Sequence, residues 1–231
     1  MTTIHLIGGE KGGVGKSVVA RLLAQYMIDK QLPFIGFDTD RSHGSLLRFY
    51  SAYASPAGID NYASLDNIIE MAVAQPEQRI LVDLAAQTHF PLTQWLDDSG
   101  VLELASEYDI DLCYWNVMDS GQDCVDLLGK LLNQYGDKLR YVLVQNQIRT
   151  EDFSLLEFSG VKDRALDLHA NVMHLKRLHT PVMNKIDANS ASFWAATQQV
   201  PGQNSVLGLL ERQRVKMWLR QAYKELDALA I

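Results

Sequence analysis

The run Gly9-Glu10-Lys11-Gly12-Gly13-Val14-Gly15-Lys16-Ser17 constrains this chain more than any other stretch. An apolar segment rich in strand formers, Ile4-His5-Leu6-Ile7, precedes it, and Val18, Val19, Leu22, Leu23, Tyr26 and Met27 follow at helical spacing. Strand, glycine-rich loop and helix together form the context in which a phosphate-loop pattern becomes a structural expectation. Glycines let backbone N–H groups curl around phosphate oxygens, and a helix beginning at Lys16-Ser17 adds its partial positive charge. Gly12, Gly13, Val14, Gly15, Lys16, Ser17 and Val18 are therefore the candidate nucleotide-binding run. Lys16 is placed to reach the β- and γ-phosphates, and the Ser17 hydroxyl to ligate Mg²⁺.

Downstream, short apolar runs alternate with helical patterns, which predicts an α/β fold with a mainly parallel sheet and helices on both faces. After a helix over about 16–29 come strands near 33–37, 79–84, 110–117, 141–145 and 172–175, six with the first, and an amphipathic helix over 120–135 lies between the strands near 110–117 and 141–145. At 231 residues and 26.0 kDa the length suits one domain over residues 1–231. Asp38 and Asp40 close the second strand, and open parallel sheets place ligands at that end. A pair of carboxylates building a turn is the alternative there. Asp83 ends the apolar run Ile80-Leu81-Val82 in the manner of a Walker-B aspartate that holds a Mg²⁺-bound water.

A formal net charge of −7 opposes a surface that is basic all over. Nucleic acid would need a local basic patch, and none stands out along the sequence. No signal segment precedes the first strand, and no apolar run approaches the roughly 18 residues of a spanning helix. Cys113 and Cys124 lack metal-ligand spacing and read as inert thiols in a reducing cytoplasm. His169, His174 and His179 are spaced by fives, which puts no pair on one helical face. The segment 205–231 reads as a long helix with Val215, Leu219, Ala222, Leu226 and Leu229 as its apolar stripe. Arg212, Arg214, Lys216, Arg220 and Lys224 flank that stripe, so packing on the sheet competes with a membrane-surface reading and with a partner or DNA surface.

The general phosphate-loop pattern has glycine where this chain has Glu10, and the extra lysine, Lys11, fits the form Lys-Gly-Gly-Val-Gly-Lys-Ser. In this the sequence resembles the deviant phosphate-loop ATPases of the MinD/ParA/Soj group, with the nitrogenase iron protein and arsenite-pump ATPases as cousins. The resemblance implies ATP and ADP as ligands, Mg²⁺, and a homodimer formed on ATP binding. It implies that Lys11 crosses the dimer interface to the partner's nucleotide and acts with Lys16 and Asp40 in catalysis. Asp40 would orient the attacking water, while Asp38 would stand near the Mg²⁺ shell with Ser17 and Asp83. Asn146 would lie against the adenine ring, with the loop 178–183 and its Pro181 over the other face. Two departures bear on the switch loops: Arg41-Ser42-His43-Gly44 stands where relatives continue Pro-Gln-Gly, and Ala85-Ala86 stands where they place glycine.

A narrower likeness runs through 4–40, Phe90-Pro91-Leu92, Gly121-Gln122 and Leu226-Asp227-Ala228. These look like TraL/StbB-type proteins of conjugative plasmids, which are ParA-like accessory ATPases. The expected function is thus an ATP-driven switch in positioning, plasmid stability or conjugation, working with an activating or cargo protein. A metabolic ATP-dependent amide or cyclic-urea synthase, a membrane-associated MinD-like regulator and a purely structural nucleotide-binding module are the alternatives. Lys11 argues against the synthase, because a ligase has no use for a lysine aimed at a neighbour's nucleotide.

Overall fold

β1 (Thr2–Gly8) is the middle strand of seven, all parallel, in the order β3-β2-β4-β1-β5-β6-β7. The computed structural model describes residues 2–9, 11–42, 44–199, 205–229 and 231; Glu10 and His43, both singled out above, lie outside them. The other strands are β2 (Phe34–Asp38), β3 (Ala54–Pro56), β4 (Arg79–Asp83), β5 (Ile110–Met118), β6 (Arg140–Asn146) and β7 (Asn171–Leu175). Their inner stretches, such as Leu112 to Met118 and Tyr141 to Val144, are buried almost without interruption. That is the signature of a parallel sheet covered on both faces.

The helices between strands are α1 (Lys16–Asp29), α2 (Ser45–Phe49), α3 (Tyr62–Ala74), α4 (His89–Asp98), α5 (Val101–Glu107), α6 (Gln122–Tyr135), α7 (Ser154–Phe158) and α8 (Val161–Asp167). α9 (Thr180–Ala188), α10 (Phe193–Thr197) and α11 (Leu209–Ala228) complete the chain. From β1 the chain moves one way to β2 and β3, then returns through β4 and passes to β5 on the other side. Right-handed crossovers therefore put α1 and α2 on one face and α3 to α8 on the other. Contacts agree, with α1 touching α2 and α10 while α6 touches α7 and α8. The reversal lies beside β1, where doubly wound sheets open a crevice for ligands.

Two sequence expectations are revised. The strand β3 adds a seventh to the six expected, because three residues ending in Pro56 at a sheet edge are too short to show periodicity. The last helix starts at Leu209, where the Gly208 N–H donates to the Glu211 carboxylate at 2.9 Å. The stripe of α11 is buried, and Trp218 joins it. Tyr26 donates to Asp227 at 2.9 Å and Tyr223 to Asp29 at 2.7 Å, which fastens α11 to α1. Among the described residues no helix is long and apolar enough to cross a membrane.

Candidate functional site

The loop between β1 and α1 sits where the sheet's carboxyl ends meet the head of a helix. Gly15 caps α1 in the left-handed region at φ 97°, and Gly13 also has positive φ at 77°. A Cβ on Gly15 would stand 2.1 Å from the Asn146 amide nitrogen, so the turn excludes any larger residue. Val14 is fully buried and anchors the loop, while Gly12 and Gly13 are exposed. Lys16 is buried and its ammonium donates to the Lys11 carbonyl at 3.0 Å. Ser17 and Val18 follow in the first turn of α1.

Strand register brings the carboxylates together. Asp83 is level with Ile7 of β1 on one side and with Asp38 of β2 on the other. Both aspartates are buried. Asp38 accepts the Asp40 N–H and the Leu47 N–H, each at 3.0 Å, and so ties the turn to the first amides of α2. Asp40 accepts the Ser42 N–H at 2.9 Å. The turn-building alternative is therefore realised, and it leaves the Asp38 and Asp40 charges beside Asp83.

Neither carboxylate oxygen of Asp83 completes a hydrogen bond among the described residues. Burial, reinforced by the charge of Asp38, pushes its carboxyl up to about 8, against a pull downward from the Ser17 hydroxyl and the Lys16 ammonium. Asp38 is raised as well, chiefly by burial, with the Leu47 amide opposing. A buried carboxylate without a partner is costly unless a cation or donor arrives. Oxygen donors from Ser17, Asp38 and Asp83 suit a hard cation such as Mg²⁺.

Lys11 is held within its own chain. Its ammonium lies 3.2 Å from Asp119, a nearly buried carboxylate just past β5. Arg149 reaches the same oxygen at 3.3 Å. Burial works against ionisation of Asp119, yet the Gly121 N–H, the Cys124 thiol and Lys11 hold it below the usual carboxylate range. One guanidinium nitrogen of Arg149 also lies 3.7 Å from where a Cβ on Gly13 would stand. Two cations thus overhang the loop, gripped by one acid.

The second loop, 85–90, is tied to the first. The Ala85 N–H, which could have faced a γ-phosphate, donates instead to the Thr39 hydroxyl at 2.9 Å. Gln87 holds a positive φ of 60°, and Phe90 at the start of α4 is 73% exposed.

A cleft of about 360 Å³ opens beside the loop, walled in part by Val18, Asn146, Leu175, Leu178, Met183 and Trp218. Asn146 lines it, but its amide donates to the Val14 carbonyl at 2.7 Å, so it braces the phosphate loop from behind. Pro181 does not line the cleft; it lies exposed in the first turn of α9, so 180–183 is helix where a loop was expected. Sequence reasoning missed Thr39, Asp119, Arg149 and Trp218. Only the fold brings these four residues to the site from separate segments.

No family model matches the chain. It is 24% identical over 243 aligned residues to Protein TraL of Escherichia coli, with 100% of both chains covered. The chain is similar to TraL from end to end. A second Escherichia coli Protein TraL is 27% identical over 154 residues, covering 63% of this chain and 64% of that relative. Among solved structures, a nucleotide-binding protein from Archaeoglobus fulgidus in complex with ADP aligns with a TM-score of 0.41 and 13% identity, over 96% of this chain and 88% of that one.

Proposed function

We propose that the chain is a Mg²⁺-dependent ATPase whose ATP-bound form is a homodimer, and that hydrolysis times its hold on an activating or cargo protein. The observation that carries this reading is the buried Asp83 carboxyl, level with Asp38 and acted on by Lys16 and Ser17, with neither oxygen completing a hydrogen bond among the described residues. The exposed backbone of Gly12 and Gly13 and the head of α1 would wrap the phosphates. Lys16 would leave the Lys11 carbonyl for the β- and γ-phosphates. Ser17 and Asp83 would hold Mg²⁺, Asp83 through a bound water, with Asp38 beside them; the ion neutralises charge on those phosphates. The cleft walled by Leu178, Met183 and Trp218 has room for a base.

Asp40, next to this group, would orient a water whose oxygen attacks the γ-phosphorus as the bond to the ADP oxygen breaks. Lys11 would swing from Asp119 to the nucleotide of a second copy. Similarity to TraL, together with the resemblance to ParA-like plasmid proteins, supports a role in plasmid positioning or a conjugation accessory function. Turnover of ATP tests the reading: Asp40→Ala should bind ATP-Mg²⁺ as the parent does and hydrolyse it far more slowly. Equal rates for parent and variant would overturn the role given to Asp40.

A further inference from the structure

A groove of about 710 Å³ runs between the segment after β7 and the outer face of α11. Lys176, Arg177 and His179 face it from one side, and Arg214, Arg220 and Lys224 from the other. The sequence shows no basic patch because these residues come from two segments some 40 positions apart, and only the fold joins them. Among the described residues none of its lysines and arginines forms an ion pair. The single acid lining the groove, Glu225, is already engaged, accepting the His174 N–H at 3.0 Å. Five Lys and Arg side chains without an ion pair, gathered on a chain of net charge −7, repel one another; of these, Arg177 donates to the Ile148 carbonyl at 3.4 Å.

The groove also has an apolar floor. Leu178 and Trp218 are buried beneath it, and Met217 stands 48% exposed within it. We propose that this groove docks an acidic segment of a partner protein that carries an apolar anchor residue. Its carboxylates would meet the two rows of cations, and the anchor would rest on Met217. The observations favour this over nucleic acid. A single-stranded nucleic acid needs a run of exposed aromatic platforms for its bases; of the two aromatic rings lining the groove, Trp218 is only 7% exposed, which leaves the His179 imidazole alone. A duplex would carry a much denser charge into the repulsive field of the whole chain. Lys176, Arg177, Leu178 and Trp218 line both this groove and the cleft beside the phosphate loop, so a docked segment would press on the wall of that cleft.

Binding of a fluorescein-labelled peptide of glutamates interrupted by leucine, followed by anisotropy on the full chain, tests the assignment. The peptide should bind saturably and more weakly as salt rises, and its glutamine counterpart should not bind. The double charge reversal Arg214→Glu with Arg220→Glu should weaken binding by about tenfold or more, since two attractive contacts become repulsive. The pair Arg214→Lys and Arg220→Lys should keep it. Both positions are exposed, and a melting curve confirms folding. Three results would overturn the proposal: no saturable binding by the folded parent, binding indifferent to the reversal, or tighter binding of an oligonucleotide lost by the same reversal.

Discussion

The Thr39 hydroxyl accepts the Ala85 N–H at 2.9 Å and donates to the Asp83 carbonyl at 3.2 Å, so one side chain joins the loop after β2 to the loop after β4. The Thr39 N–H adds a further bond to that carbonyl at 3.0 Å. Any movement of one loop toward a γ-phosphate must carry the other or break this link.

Thr39→Val keeps the shape and removes the hydroxyl. It should cost about 1 kcal/mol of stability, the value of an ordinary hydrogen bond. Turnover should fall more, by about 10–10²-fold, because the water and the second loop lose their common register. Thr39→Ser should restore it. Urea unfolding and steady-state ATP hydrolysis, measured on the same three proteins, separate the two effects.

Asp119 holds Lys11 within its own chain, so in the proposed dimer weakening that grip should favour its reach to the second copy. Asp119→Asn keeps an acceptor for the Gly121 N–H and removes the charge. Lys11 is 36% exposed, so the pair is screened and the gain should be modest, about 2–5-fold in ATP-dependent dimerisation by sedimentation. Lys11→Ala should bind ATP as a monomer and fail to dimerise. Mixed with Asp40→Ala it should regain part of its turnover, since one composite site then has both an intact Asp40 and an intact Lys11 from the other copy. Normal dimerisation of Lys11→Ala would place the lysine outside the interface.

Asp83 gives a pH dependence with a definite sign. Its carboxyl titrates at about 8 in the folded chain, against an ordinary value of 3.8. The folded state therefore holds the proton more tightly than the unfolded state across that window. The nucleotide-free chain should lose stability as pH rises from about 4 to about 8. Asp83→Asn should flatten the slope and stabilise the nucleotide-free protein at pH 8, because the amide removes a buried charge beside Asp38. Chemical denaturation of both proteins across that range checks this, and parallel slopes would contradict it.

The parts legible in the sequence are those in which a local pattern dictates a local shape. The glycines at 13 and 15 announce positive φ, and the apolar runs of β1, β4, β5 and β6 announce buried parallel strands. Asp38 and Asp83 could be placed at strand ends from their own neighbours, but their shared register with β1 is a property of strand order. What stayed hidden depends on residues distant in sequence. Asn146 lines the cleft, and the bond from its amide to the Val14 carbonyl, which braces the loop, has no signal in its own neighbours. Pro181 reads as a loop fixture, yet proline fits equally well in the first turn of a helix, where its missing N–H has no partner to lose. The Asp119 grip on Lys11 and Arg149 joins segments after β1, β5 and β6, and no spacing in the chain signals it.

Calorimetry of ATP-Mg²⁺ binding to the parent and to Lys16→Ala bears most directly on the nucleotide reading. The parent should bind, and the variant should bind about 10–10²-fold more weakly, the loss of a charge-assisted contact to phosphate, with an unchanged melting temperature in the absence of nucleotide. Equal affinity in the two proteins, or no binding by a folded parent, would contradict it.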